Sequence, residues 1–374
     1  MLYLIARWRA CLMREIYAYY KNATITKFNT FRLNPKADEL YILYSTTSLY
    51  EVCKICNTQH IDYKVIGLGA NLVFNDSGFE GALIVNRASN LEFKIDSVIA
   101  DSGVNLSNLI QKCYLRSLGG FESLIGIPAT IGGAITNNVG AFDVNISDHV
   151  EWVKGFLKDE PNKKFCFTNS ECEFAYRDSI FKSGKYVITH AKINLKSLCP
   201  DLIKENMIQA LTKKKSTQPL ELPSAGSVFK RMIFNENENV EISNSNNSNN
   251  SSHNKNFDSF QSKNIIKTDI DIANNPKLSS NCLENNRNEK LNIKTNQSNK
   301  NIVTKIIYPA KLIDELGLKG LTIGGAQIST KHAGFIVNIG GAKSEDIKKL
   351  VEIIKEKVKQ NYNIDLIEEI EFVP

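Results

Sequence analysis

Residues 119–142 read GGFESLIGIPATIGGAITNNVGAF. No acidic residue follows Glu122 in this run, and no basic residue occurs in it. Glycine is a poor helix former, so the run is too glycine-rich for a stable helix, and it is too long for a simple turn. Gly126, Gly132, Gly133 and Gly140 permit positive φ and a close approach of backbone to a ligand, which leaves N–H groups to face phosphate oxygens. Two readings follow from these residues alone. The run cradles a large phosphate-bearing cofactor, or it is a glycine-rich loop packed tightly against a sheet.

Working outward, residues 104–118 place Leu106, Leu109, Ile110, Cys113 and Tyr114 on one helical face and stop at Gly119-Gly120, so a buried helix delivers the chain into the run. Residues 91–103 alternate as strand and turn. Earlier, residues 40–44, 64–66 and 81–86 read as strands and residues 48–57 as a helix. GLGANL at 67–72 follows an apolar strand and supplies half of a dinucleotide fingerprint. Leu72 stands where the third glycine belongs, and VFNDSGFEG after it is turn-rich, with no helix to aim its N-terminus at a pyrophosphate. A phosphate-binding turn on a different fold fits better. Downstream, strands are expected at 150–157, 163–168 and 186–195. Between the last two lies FAYRDSIFK (174–182), where Arg177 sits among aromatics and either braces a loop or lines a pocket for a carboxylate or phosphate. A helix over 201–215 leads to QPLELPSAGSVFKR (218–231), a small-residue segment that ends in two cations.

At 374 residues and 42% hydrophobic, the chain can bury a substantial core in two or three domains. Its +6 charge is scattered, which argues against nucleic acid as a partner, and no apolar run is long enough for a membrane helix. Eight dispersed cysteines suit reduced thiols in a cytosol. Cys53-Lys-Ile-Cys56, with His60 beyond, has no second pair at zinc-finger spacing; it falls with Leu49 and Val52 at helical intervals, so core thiols and no metal are expected. Residues 1–22, with Arg7, Arg9 and Arg14, read as a loosely ordered extension, the alternatives being a transit peptide or a short amphipathic surface helix. From about 235 to 301 the chain is dominated by Asn, Ser and Lys and cannot bury enough apolar surface to order itself, so disorder is expected there. Pro309 and Gly317 bracket a helix. A last helix over 344–360 has Ser344 as N-cap, Glu345 and Asp346 in its first turn, and a stripe of Ile347, Leu350, Val351, Ile354 and Val358.

NTFR (29–32), GLGAN (67–71), GIPATIGGA (126–134), NNVGA (137–141), YRDSIFK (176–182), PSAGSVFK (223–230), KLIDELGLKG (311–320) and STKHAGFIVN (329–338) occur in an order that resembles the UDP-N-acetylenolpyruvoylglucosamine reductase family, FAD enzymes that make UDP-N-acetylmuramate for peptidoglycan. Only the N-terminal extension and the Asn-rich insertion fall outside the likeness. The short interval between Lys182 and Pro223 resembles the shorter subtype, without an extra tyrosine loop over the substrate. Two departures concern backbone: Ala129 stands where the family has glycine, and a family glycine is missing after Phe142, so ordinary φ or a reshaped loop is expected at both.

The resemblance implies an α+β protein. A two-part FAD-binding region of the vanillyl-alcohol oxidase/p-cresol methylhydroxylase type (residues 24–86 and 87–200, after an extension over 1–23) precedes an α/β substrate-binding domain (201–374) interrupted by the insertion. It implies FAD contacts from Gly67, Gly69, Ala70, Asn71 and Leu72, from Gly126, Ile127, Pro128, Ala129, Thr130, Gly132 and Gly133, and from Asn137, Asn138, Gly140 and Ala141. It implies further that NADPH reduces FAD, leaves, and is replaced by UDP-N-acetylglucosamine enolpyruvate, to which the flavin delivers hydride. Arg177 clamps the developing charge, Ser227 supplies the proton, and Glu369 positions the arginine, with Glu368 as second choice because the family's leucine-glutamate pair appears here as Leu366-Ile367. Tyr176, Lys230, Arg231, Gln327 and His332 are implied substrate contacts. A cytoplasmic monomer is expected. Read without the resemblance, Ser227 is a turn-capping hydroxyl and Glu369 a solvated acid. A flavin oxidase of the same superfamily, or an inactive flavin-holding relative, stays open, as does NADPH against NADH.

Overall fold

Period-two alternation of apolar residues builds the first sheet. The computed structural model describes residues 17–235 and 304–374; the expected disorder of the Asn-rich insertion and any helix around Arg7 and Arg9 lie outside those residues. Strands β1 (Tyr17–Thr24), β2 (Lys36–Leu43), β3 (Tyr63–Ile66), β4 (Leu72–Phe74) and β5 (Phe79–Asn86) are joined by helix α1 (Thr46–Thr58). The sheet order is β1-β2-β5-β3, antiparallel at β1–β2 and parallel elsewhere. Along β2 and β5, Leu40, Leu83 and Val85 face one core with Ile25, Phe74 and Val373. Tyr41, Leu43, Ala82 and Ile84 face the other, where α1 contributes Leu49, Val52, Cys53 and Cys56. The core reading of the two cysteines therefore holds, and burial pushes the Cys56 thiol up to about 11.

One expectation fails at the N-terminal edge. Residues 17–22 are not loose: Tyr17–Thr24 pair with Lys36–Leu43, and the rings of Tyr17 and Tyr19 pack on Tyr41 at centroid distances of 5.8 and 4.8 Å. Alternating tyrosines suit a half-buried edge strand, a signal that the arginines upstream obscured.

A second sheet is antiparallel throughout. Strands β6 (Leu91–Phe93), β7 (Ser97–Asp101), β8 (Val150–Leu157), β9 (Lys164–Thr168) and β10 (Tyr186–Asn194) lie in the order β9-β8-β10-β7-β6. Its core takes in helices α2 (Leu106–Tyr114) and α3 (Ile131–Thr136) and reaches Ala210 of α4 (Pro200–Thr217). Helix α3 forms inside the glycine-rich run, contrary to the sequence expectation. Thr130 caps it, accepting from the Gly133 N–H at 3.4 Å, and Gly132 packs so closely on Ser102 that a Cβ there meets the serine Cβ at 3.0 Å. Capping and tertiary packing outweigh propensity over six residues.

The third layer holds strands β11 (Ser224–Ser227), β12 (Thr322–Ile323), β13 (Ala326–Ile328) and β14 (Phe335–Asn338), in the order β11-β14-β13-β12, beneath helices α5 (Pro309–Glu315) and α6 (Ser344–Tyr362). Ser344 is the first residue of α6 and not its N-cap, which is Lys343. Its hydroxyl donates to Asp76 Oδ2 at 2.9 Å, while Asp76 accepts the Ser344 and Glu345 N–H groups at 2.9 and 3.2 Å. The helix is thus capped by a carboxylate from the distant β4–β5 turn. Finally, β15 (Glu371–Val373) runs parallel to β4, Glu371 opposite Leu72, so the chain's last strand joins the first layer. By itself, the Ile233–Ile306 unit shows strand segments from Met232–Asn235 and Thr304–Ile307 paired as a two-stranded sheet.

Candidate active site

Residues 228–230 run antiparallel to 367–369, and this short ladder fixes the acid. The Lys230 N–H donates to Ile367 O at 2.9 Å, the Glu369 N–H donates to Val228 O at 2.7 Å, and Phe229 and Glu368 form the bridge between them. Neighbouring side chains on extended backbone point to opposite faces. Glu368 accordingly pairs with Lys355 at 3.1 Å, and Glu369 with Arg177 Nε at 2.9 Å. The geometry puts Glu369, not Glu368, beside the arginine.

Arg177 is held from several sides. Its Nη2 donates to Gly140 O at 2.7 Å and its Nη1 to Asn138 O at 3.3 Å. Its own backbone is left-handed, φ 54°, in a tight loop where Ala175 and Asp178 exchange N–H···O bonds of 3.1 and 3.2 Å. Side-chain exposure of 20% for Arg177 and 19% for Glu369 places the pair well inside the surface, where attraction is less screened than in water. Burial pushes the Glu369 carboxyl above its ordinary value, and the Arg177 charge only partly offsets that. Two guanidinium groups lie over the Tyr176 ring, Arg177 at 5.2 Å and Arg231 at 4.5 Å from its centroid. Arg231 Nε is buried and makes no hydrogen bond among the described residues.

Ser227 ends β11 opposite Phe335, after a slip in register at Gly226, whose φ is +81°. It immediately precedes Val228, the residue whose carbonyl holds Glu369. Arg177, Glu369, Tyr176 and Arg231 thus meet directly, Lys230 contributes its charge to the Glu369 carboxyl, and Ser227 stands at the start of the same ladder. Gln327 and His332 do not join them. Gln327 Nε2 donates to Thr322 Oγ1 at 3.0 Å, and His332 Nδ1 accepts from the Gly334 N–H at 3.1 Å while its ring meets Phe335 edge-on. Burial pushes the His332 imidazole below its ordinary pKa. Lys182, which sequence reasoning quoted in YRDSIFK but did not place in the site, donates from Nζ to Arg177 O at 2.6 Å.

The two glycine-bearing loops abut. A Cβ on Gly67 falls 2.2 Å from Thr130 Oγ1, and one on Gly69, whose φ is +63°, falls 2.2 Å from Phe28 O, so both positions accept only glycine. Arg87 Nη1, another residue that the sequence did not point to, holds Gly67 O at 2.8 Å. The free donors are not where the glycine-rich run suggested. N–H groups of Gly126, Gly132 and Gly133 are bonded to Ser107 Oγ, Ser102 O and Thr130 Oγ1. Those of Gly69, Ala70 and Asn71 make no bond among the described residues, which leaves three successive donors without a partner there before Leu72 opens β4. Such a row fits a pyrophosphate, and FAD fits the loop on that ground. Ile127, Pro128 and Ala129 form the turn into α3, Asn137 and Asn138 leave it, and Gly140-Ala141 pair with Val144-Asn145. Ala129 takes ordinary φ, but Phe142 and Asp143 stay left-handed at 53° and 62° without glycine. Asparagine and aspartate tolerate that region better than most residues, which suits position 143.

Residues 218–373 match the family described as UDP-N-acetylenolpyruvoylglucosamine reductase, C-terminal domain, and residues 40–160 match an FAD binding domain. A UDP-N-acetylenolpyruvoylglucosamine reductase of Thermotoga sp. (strain RQ2) is 33% identical over 83% of this chain and 79% of its own length. One of the same name from Clostridium botulinum (strain 657 / Type Ba4) is 29% identical over 93% of this chain and 90% of its own. The crystal structure of UDP-N-acetylenolpyruvylglucosamine reductase (MurB) from Thermus caldophilus, 24% identical, superposes with a TM-score of 0.63 over 96% of this chain and 99% of that one, which establishes the fold. This chain belongs to the UDP-N-acetylenolpyruvoylglucosamine reductase (MurB) family.

Proposed function

We propose that Arg177, Glu369 and Ser227 carry the reduction of UDP-N-acetylglucosamine enolpyruvate to UDP-N-acetylmuramate in this protein. The chain is an FAD-dependent oxidoreductase of peptidoglycan precursor synthesis, with NADPH as reductant. The observation that carries the assignment of residues is the half-buried Arg177–Glu369 ion pair at 2.9 Å, with Ser227 directly before Val228, whose carbonyl holds the acid. When bound, FAD supplies the two-electron chemistry, accepting hydride from NADPH and passing it to the terminal carbon of the enolpyruvyl double bond. Negative charge then gathers at the carbon that bears the carboxylate, and the Arg177 guanidinium is the cation available to stabilise it. Glu369 keeps that cation oriented through Nε and leaves the η nitrogens to the carbonyls of Asn138 and Gly140. Ser227 gives its hydroxyl proton to the same carbon, which completes addition of one hydride and one proton. A hydroxyl is a weak acid, and the charges of Lys230 and Arg231, three and four residues on, favour the alkoxide that remains.

Gly69, Ala70 and Asn71 supply N–H donors for the pyrophosphate of FAD, and Gly67 and Thr130 close the loops around it. Tyr176, Lys230 and Arg231 bind the substrate. Gln327 and His332, held by Thr322, Gly334 and Phe335 within the third layer, act on the substrate from outside the Arg177–Glu369 cluster. The division into FAD-binding parts at 24–86 and 87–200 and a substrate part at 201–374 is proposed on the succession of the three sheets, although the cores cross its boundaries: Phe31, Leu33 and Val73 pack with the third layer and Ala210 with the second. No described helix is long and apolar enough to cross a membrane. A cytoplasmic monomer is the form proposed.

The test is a split of the two half-reactions. Ser227→Ala is expected to leave reduction of bound FAD by NADPH intact while reoxidation by the enolpyruvyl nucleotide collapses. Reoxidation at the wild-type rate removes Ser227 from the role.

A further inference from the structure

The Arg177 carbonyl faces an unusual donor. A left-handed backbone is rare for a residue with a long side chain, and it persists only where surrounding contacts enforce it. Three contacts already described grip the guanidinium, through Glu369 Oε1, Asn138 O and Gly140 O. None of them constrains the peptide that follows Arg177. That peptide's oxygen accepts from Lys182 Nζ at 2.6 Å, its only hydrogen bond among the described residues. Lys182 can reach back because residues 180–183 form a single 3-10 turn that closes at Gly184, φ 73°, anchored by Ser179 Oγ on Thr136 O at 2.8 Å. Partial desolvation, and then the nearby Lys230 charge, lower its hold on a proton, while Asp178, Glu369 and Glu371 favour the charged form. It is thus a cation beside the site that does not pair with Glu369, and the catalytic readings leave it without a task.

We propose that Lys182 is a positioning residue: by tethering the Arg177 carbonyl it locks Arg177 in its left-handed conformation and so keeps the guanidinium aimed for the reducing step. The proposal rests on the reading that Arg177 stabilises the developing charge. An ammonium-to-carbonyl bond is charge-assisted and stronger than a neutral one. Its removal leaves that peptide held only by the Asp178 N–H on Ala175 O at 3.2 Å, so Arg177 relaxes toward ordinary φ, which swings the side chain, and misplacement by about an ångström costs on the order of a hundredfold in rate.

Lys182→Met and Lys182→Arg are made in the full-length, FAD-loaded protein. Lys182→Met is expected to slow reoxidation by the enolpyruvyl nucleotide by roughly ten- to a hundredfold at saturation while reduction by NADPH slows far less, and Lys182→Arg is expected to restore most of the loss. An independent readout is labelling of Arg177 by phenylglyoxal in the flavin-free protein, followed by peptide mass spectrometry. Lys182→Met is expected to raise it severalfold, and Lys182→Arg to leave it at the wild-type level. Wild-type labelling in Lys182→Met overturns the proposal. So does an equal slowing of both half-reactions with a lowered melting temperature, which marks a merely structural lysine. A raised KM with an unchanged saturating rate marks a substrate ligand and also overturns it. If wild-type protein is reduced by NADPH but never reoxidised by the nucleotide, the functional reading fails, and Arg177 labelling still decides whether Lys182 positions it.

Discussion

The side-chain amide of Asn71 donates to the backbone carbonyl of Glu369 at 2.9 Å, across 298 residues of sequence. The loop that offers donors to a pyrophosphate and the segment that carries the acid are therefore one connected piece. Asn71→Ala removes the tether. It is expected to cost about 1 kcal/mol of unfolding free energy in urea and to slow flavin reoxidation, because Glu369 loses one of its two backbone anchors. An unchanged reoxidation rate dissociates the loop from the acid.

Glu369 links stability to pH in a defined direction. Its folded-state pKa is raised above the ordinary 4.5, with burial as the leading cause. Through the window between 4.5 and the raised value, the folded state holds more proton than the unfolded one, so this group's contribution to stability falls as pH rises. Glu369→Gln removes that slope. Denaturant midpoints from pH 4 to 7 in both proteins are expected to show a shallower pH dependence in the variant, which also reoxidises more slowly. Parallel profiles contradict the assignment.

Gly67 has no room for a methyl group, since a Cβ there lies 2.2 Å from Thr130 Oγ1. Gly67→Ala displaces the threonine that caps α3 and separates the two loops. Loss of bound FAD on gel filtration is expected, with destabilisation of roughly 1–3 kcal/mol from the overpacking. Yellow, fully loaded Gly67→Ala protein means that the loops need not touch.

Asp76 caps α6 from outside through three hydrogen bonds, to the Ser344 N–H, the Ser344 hydroxyl and the Glu345 N–H. Asp76→Ala is expected to lower stability by about 1–2 kcal/mol, visible as a lower melting temperature, while the saturating turnover rate is retained. Wild-type melting shows the cap to be redundant.

Lys214, only 6% exposed, donates from Nζ to Ser123 O at 3.0 Å and to Ile125 O, just ahead of the glycine-rich turn. Burial lowers its pKa to about 8. Between that value and its ordinary 10.5 the unfolded chain binds more proton than the folded one, so stability rises with pH there, by at most ~1.4 kcal/mol per pH unit. Lys214→Met is expected to lack that rise in urea titrations between pH 7.5 and 10. Equal slopes in both proteins place the ammonium in solvent.

Much of this was legible in the sequence because local periodicity and global fold agree. The strand at 150–157 and the stripe from Ile347 to Val358 sit where alternation and 3.6-residue spacing put them. Arg177 and Glu369 could be chosen only because ordered motifs resembled a family, and alternation at the 228–230 ladder then separated Glu369 from Glu368. What stayed hidden depends on partners far away in the chain. Nothing near Ser344 announces Asp76 as its cap, Arg87 gives no local sign that it reaches Gly67, and Tyr17–Thr24 becomes a strand because Tyr41 stands opposite. The glycines misled in an instructive way: those of the long run serve packing against Ser102 and Thr130, while the open N–H groups belong to the shorter 67–71 loop.

Strand β15 has a consequence for synthesis. Glu371–Val373 can pair with Leu72–Phe74 only after the intervening residues 75–370 have been made, whereas the sheet around β2 and β5 needs only the first hundred residues. A nascent chain on the ribosome can therefore fold its first layer early but stays catalytically silent until the segment that carries Glu369 and β15 has emerged.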